Sequence, residues 1–164
     1  MEDTLPSDTE AEQGLLCSCM QDTRIIGKIA DIITLEHFTY PAHQDIWATL
    51  LKMYFDKKPI DLLTITSELR AKNLLESVGG EHYITHVYTV VYTSINWDEY
   101  FKTISSCYLR RKIHFAAKRM AADALDRTKD PEDLKEEASR EITGMMTTKT
   151  ESVHIAEVFN KRIN

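Results

Sequence analysis

Glycine and proline are scarce in this 164-residue chain, at five and four residues. Beside many Leu, Ile, Ala, Glu and Lys, that scarcity argues against the turn-rich sandwiches and barrels, and against a disordered chain. Three cysteines are too few, and odd in number, for a disulfide framework. Cys17 and Cys19 stand two apart on an expected helix and point roughly 200° away from each other, which suits neither a bridge nor a shared metal. A reducing cytosol is the expected home. Basic residues are outnumbered, twenty Lys and Arg against twenty-six Asp and Glu, and a net charge of −6 repels phosphates. Tight non-specific binding of nucleic acid by this chain alone is therefore not expected. No apolar run approaches the ~18 residues of a membrane span. The opening MEDTLPSDTEAE is acidic where a secretory signal is basic. The length suits one domain, or one domain with an appendage.

Catalytic signatures are missing as well. The chain has no GxxxxGK[ST], GxGxxG or GxSxG, so it shows neither a phosphate cradle nor a nucleophile elbow. His82 and His86 share a helix face, but Tyr83 stands where a zinc protease needs glutamate, and spacing offers no third ligand; two surface or half-buried histidines are expected. His37 and His43 flank the turn at Phe38–Pro41 and are expected to hydrogen-bond there. Cys107 falls in an apolar stripe, as an inert buried thiol does.

What is present is helical periodicity. Ser7 with Glu10 has capping-box spacing and opens a helix carrying Ala11, Leu15, Leu16 and Cys19. Thr23–Ile33 repeats isoleucine nearer a period of 3.6 than of 2. Pro41 suits the first turn of a helix to Phe55 that buries Ile46, Leu50, Met53 and Tyr54. Asp61 caps Leu62–Lys72, and Gly79-Gly80 turns the chain into a helix through Tyr83, Val87 and Val90. From Trp97 to Arg127 neither proline nor glycine intervenes, and Trp97, Tyr100, Phe101, Ile104, Cys107 and Tyr108 keep helical spacing. Asp130, Pro131, Glu132 and Asp133 then open another helix. Gly144 and TTKTES read as its end and a linker, and Val153–Ile163 as a short amphipathic helix. The fold class is all-α: a compact bundle over residues 1–95, a long antiparallel hairpin over 96–147, and a linker with a short helix over 148–164.

The hairpin carries the first functional inference. A straight helix from Trp97 to Arg127 would extend ~45 Å, beyond the ~30 Å width of a small domain. Its apolar stripe is covered either by a second copy, as a homodimer, or by a bend that packs it within one monomer. The basic stretch LRRKIHFAAKRM fits phosphate contact, or a solvated face that pairs with the acidic helix opposite; the second is favoured. A helix-turn-helix around TSELRAKNLLESVGGEHYI has Glu81 and no arginine on its recognition helix, which suits a DNA backbone poorly.

In order, SDTEAEQGLLCSCM, LEHFTYPAHQDIWATLLKMY, KKPIDLLTITSELRAKNLLESVGGEHYITHV and INWDEYFKTISSCYLRRKI resemble the N-terminal domain of DnaB-type replicative DNA helicases. The resemblance implies a helical bundle with a hairpin, hairpins that pair, and three dimers forming a collar over a hexameric ring of motor domains. It also implies a linker helix docked on a neighbouring motor, and docking of a primase's helicase-binding domain and of a helicase loader. The motor's phosphate loop, acidic strand and arginine finger are absent, so ATP and Mg2+ would belong to a motor domain outside this sequence, and no catalytic, cofactor or metal residue is assigned. We expect a piece of a longer helicase acting in the cytoplasm at a bacterial or phage replication fork. The alternatives are a stand-alone collar homologue serving as adaptor or inhibitor, and a helical DNA-binding regulator. On this reading the dimer contact is assigned to Trp97, Tyr100, Phe101, Ile104, Tyr108, Met120 and Leu125, and the motor contact to Ile155, Val158 and Phe159. Gly14 and the Cys17-Ser18-Cys19 run depart from what is usual for the first helix.

Overall fold

The computed structural model describes the backbone of residues 4–160 and the side chains of residues 4–145; among the described residues every regular element is helical. Two compact units divide the chain, Met1–Tyr108 and Leu109–Asn164.

The first unit is built around α1 (Thr9–Gln21), in which every residue from Ala11 to Met20 is buried. Its cap is Asp8 rather than Ser7: the Asp8 carboxylate accepts from the Ala11 N–H at 2.9 Å. A carboxylate at the positive end of a helix is the stronger acceptor. A helix covered all round needs small residues where neighbours come close, and this accounts for the unusual sequence of α1. A Cβ on Gly14 would lie 2.9 Å from Cε2 of Tyr100. Ser18 donates to the Gly14 carbonyl at 2.7 Å, and the Cys17 thiol to the Tyr88 carbonyl at 3.0 Å. Burial pushes both the Cys17 and the Cys19 thiol above the ordinary range, which keeps them protonated and inert.

Asp22 ends α1 and caps α2 (Thr23–Ile29), gripping Arg24 through both carboxylate oxygens at 2.8 Å. The second helix stops four residues short of the expected Ile33. There the chain tightens, with the Ile32 and Ile33 N–H groups both on the Ile29 carbonyl. The freed Ile33 carbonyl accepts from the Trp47 indole at 3.2 Å. Next, α3 (Pro41–Phe55) sets Ile46, Trp47, Leu50 and Met53 against α1 and α2. Asp61 and Thr64 exchange hydrogen bonds at 2.9 Å in each direction to start α4 (Leu62–Ala71), as the sequence suggests. Gly79, at φ +100°, turns the chain into α5 (Gly80–Thr89) through a conformation that costs other residues strain. Then α6 (Trp97–Leu125) begins by packing Trp97, Tyr100, Phe101 and Ile104 onto the same core.

In the second unit the distal part of α6 is followed by a turn and by α7 (Pro131–Asn160). Asp126 accepts from Thr128 N–H at 3.0 Å, Asp130 from Glu132 N–H at 2.8 Å, and Lys129 reaches back to Asp123 at 2.6 Å. Arg119 pairs with Glu141 across the hairpin, which is the inter-helix pairing expected of the basic stretch. The expected helix end at Gly144 is corrected: α7 runs through Gly144 and TTKTES without interruption, so no separate linker helix starts at Val153. One internal glycine costs only ~1 kcal/mol, and the stretch contains no proline to stop the helix.

Candidate interaction surface

The buried histidines of the first unit, and the buried carboxyl of Glu12, are tied up inside it. Glu12 and His43, 1% and 0% exposed, meet through Oε2 and Nδ1 at 2.6 Å. The Thr39 N–H donates to Oε1 of Glu12 at 2.7 Å. On the other side of the imidazole, Nε2 lies 2.7 Å from the Tyr83 hydroxyl, which also accepts from the Gln13 amide at 3.1 Å. A carboxyl, an imidazole and a phenol in sequence thus join α1, α3 and α5. His37 is also buried, its Nδ1 accepting from the Thr34 N–H at 3.1 Å and its ring centred 3.9 Å from that of Tyr108. The Tyr108 hydroxyl donates to Glu36 at 3.1 Å. Sequence reasoning expected turn hydrogen bonds from both histidines but missed the Glu12 and Tyr83 partners. The available signal was Glu12 itself, a carboxyl set inside an apolar helix. His82 and His86 are exposed, as expected. Among the described residues no group of three or more His, Cys, Asp or Glu is arranged to hold a metal.

Of the seven residues assigned to a dimer contact, five fall in the first unit and two in the second. Ile104 is 1% exposed within its own bundle, so its assignment is corrected: it has no surface to offer. Trp97, Tyr100 and Phe101 pack partly buried against the same core, with the Lys28 ammonium 5.4 Å above the Trp97 ring. Tyr108 is held by His37 and Glu36. Periodicity announces that a stripe will be covered; it does not say by what. Only Met120 and Leu125 belong to the second unit. Cys107 is half-buried rather than fully enclosed. The side chains of Ile155, Val158 and Phe159 lie outside the described residues.

Open apolar side chains lie in both units, with Phe55, Leu63, Tyr92 and Ile95 exposed in the first and four more in the second. Leu125 is 84% exposed, and Ile113, Phe115 and Ile142 are each more than half exposed. Between the two helices runs a groove of about 220 Å³, floored by Met120, Ala124, Leu134 and Ala138 and rimmed by Arg119, Asp123, Lys135, Glu137 and Glu141. A greasy floor within a charged rim is the anatomy of a protein-binding surface.

Residues 4–106 match the family described as the DnaB-like helicase N-terminal domain. The chain belongs to that family. The replicative DNA helicase DnaC of Bacillus subtilis and the replicative DNA helicase DnaB of Geobacillus stearothermophilus are each 31% identical to this chain, over 90% and 84% of its length. The chain spans only 32% and 30% of those two proteins. The crystal structure of the N-terminal domain of DnaB helicase from Mycobacterium tuberculosis is similar with a TM-score of 0.76 at 26% identity, covering 86% of this chain and 99% of that one. A DnaB-like replicative helicase whose structure was described with its interactions with primase shares the fold, with a TM-score of 0.69 at 22% identity over 90% of this chain and 35% of that one. The DnaB-type resemblance read from the sequence and the all-helical fold it implied are both upheld. Among the described residues no helix is long and apolar enough to cross a membrane.

Proposed function

We propose that this chain is the collar portion of a replicative DNA helicase, where it holds subunits together and receives partner proteins during DNA replication. The observation that carries this reading is the distal arm. Four large apolar side chains stand in water there, beside an apolar groove, on a chain that belongs to the DnaB N-terminal domain family. Covering a large apolar side chain gains about 1.5–3 kcal/mol, so a second arm is a favourable lid. In this reading the contact keeps Met120 and Leu125 and adds Phe115 and Ile142, and the dimers assemble further into a hexameric ring. Primase is the first partner we carry over, because the similar helicase was described with its interactions with primase; a loader would use the same assembly. A partner that binds one collar arrangement better than another shifts the balance between them. Ile155, Val158 and Phe159 remain our choice for the contact to a neighbouring motor domain, which would itself supply ATP and Mg2+ chemistry.

Sedimentation velocity over a concentration series tests the arm. The 164-residue chain is expected to move from monomer to dimer, and Phe115→Glu/Leu125→Glu to stay monomeric with unchanged circular dichroism. A wild-type chain that stays monomeric throughout overturns the arm as the self-association surface.

A further inference from the structure

Two histidines of the first unit take no part in the collar reading. His82 and His86 stand four residues apart on α5 and both are exposed, whereas His37 and His43 are buried. Residues at that spacing lie one above the other on a helix, with Cβ atoms about 6 Å apart. Neither imidazole enters a hydrogen bond or ion pair with another described residue; His86 lies beside the Tyr83 ring, at 6.1 Å between centroids. The helix beneath them is anchored. Ile84 and Val87 are buried on its inner side, and Tyr83 is held by His43 and Gln13. The neighbouring carboxylate, Glu81, is paired with Arg70.

We propose that His82 and His86 together bind one divalent transition-metal ion of the class that imidazole selects, Cu2+, Ni2+ or Zn2+, with water in the remaining positions. Two imidazole nitrogens on successive turns of a helix both reach an ion at ~2.1 Å, the spacing by which zinc proteases present two of their ligands. Those enzymes add a third protein ligand. Here the described residues supply none, so the ion is held reversibly and more weakly than in a structural zinc site. His86 lies in the last turn of α5, where the helix carbonyls leave partial negative charge that favours a cation. The net charge of −6 acts in the same sense. An ion that spans two turns binds the folded helix better than the unfolded chain, so it stabilises the bundle that α5 closes against α1 and α4. Mg2+ and Ca2+, which seek oxygen ligands, find nothing here to prefer.

Ni2+ is the probe, added to the isotope-labelled 164-residue chain. Its paramagnetism is expected to broaden the amide signals of Glu81–Val90 before any others. In calorimetric titration, His82→Ala and His86→Ala should each weaken binding roughly tenfold or more, because the second ligand of a linked pair acts at high effective concentration. Both positions are exposed, so circular dichroism should be unchanged and the comparison reads binding rather than folding. Tm of the wild-type chain should rise with added Ni2+, and Tm of either variant should not. Mg2+ at the same concentration should leave all three unmoved. Broadening centred on His114, His154 or the N-terminus overturns the site, as does weakening by only one of the two substitutions or the lack of any response to Ni2+.

Discussion

Nδ1 of His43 lies 2.6 Å from Oε2 of Glu12, and both side chains are sealed from solvent between α1 and α3. The far side of the imidazole is held in turn by Tyr83 of α5, so one residue joins three helices. His43→Ala leaves the Glu12 carboxyl buried with the Thr39 N–H as its remaining partner and opens a void beside it. We expect a loss on the order of 3 kcal/mol in urea unfolding. Tyr83→Phe removes only the hydroxyl and should cost about 1–3 kcal/mol. Because the groups share one network, the His43→Ala/Tyr83→Phe chain should lose less than the sum of the two. Strict additivity would show that the network is not cooperative.

Gly14 and Tyr100 make a second close pair, with room for the ring only because α1 has no side chain there. Gly14→Ala gains up to ~1 kcal/mol of helix propensity but pushes the ring out of its place on the core. Overpacking of this kind typically costs ~1–3 kcal/mol, so the net change should be destabilising. Thermal unfolding reads the sign directly, and a rise in Tm would mean that the ring swings aside at little cost.

Thiol reactivity should follow burial. Cys17 and Cys19 are fully buried, with their protonated forms favoured by desolvation, whereas Cys107 is half-buried. Ellman's reagent should therefore modify at most one thiol in the native protein and all three after denaturation. Cys107→Ser should abolish the native reaction. A native reaction that survives this substitution would mean that α1 opens readily.

Acid should weaken the first unit in a defined direction. The Thr64 N–H holds the Asp61 carboxyl below its usual range, Arg24 does the same for Asp22, and Lys58 for Glu68. A carboxyl whose value is lowered on folding contributes its full stabilisation above the unfolded value near ~4, and loses it as pH falls through the lowered value. Tm should accordingly fall as pH drops below about 4 and through the lowered values of these carboxyls. Asp61→Asn should flatten that fall, while an unchanged slope would assign the acid sensitivity to other carboxyls.

Much of the fold could be read from residues whose meaning is local. Pro41 at a first turn, the Asp61 cap, the Gly79 turn and the Asp130-Pro131 start each act within a few residues, and the structure holds them where the sequence suggests. What could not be read depends on neighbours distant in the chain. Tyr100 explains Gly14, and Tyr83 completes the His43 pair, yet neither lies near its partner in sequence. The same limit governs the stripe on α6: Ile104 and Leu125 look alike by spacing, but one is enclosed and the other stands in water. Gly144 misled for the opposite reason, since a local signal was outweighed by the residues around it.

Because α1 is sheathed on every side, the order of synthesis works against it. This rod leaves the ribosome early, but the carbonyl that takes the Cys17 thiol and the hydroxyl that takes the Gln13 amide lie 71 and 70 residues downstream. Until α5 and the start of α6 emerge, the nascent chain carries an unclothed apolar cylinder. Full burial of α1 therefore waits on contacts of long sequence separation, the kind that form slowly and leave apolar surface open until they do.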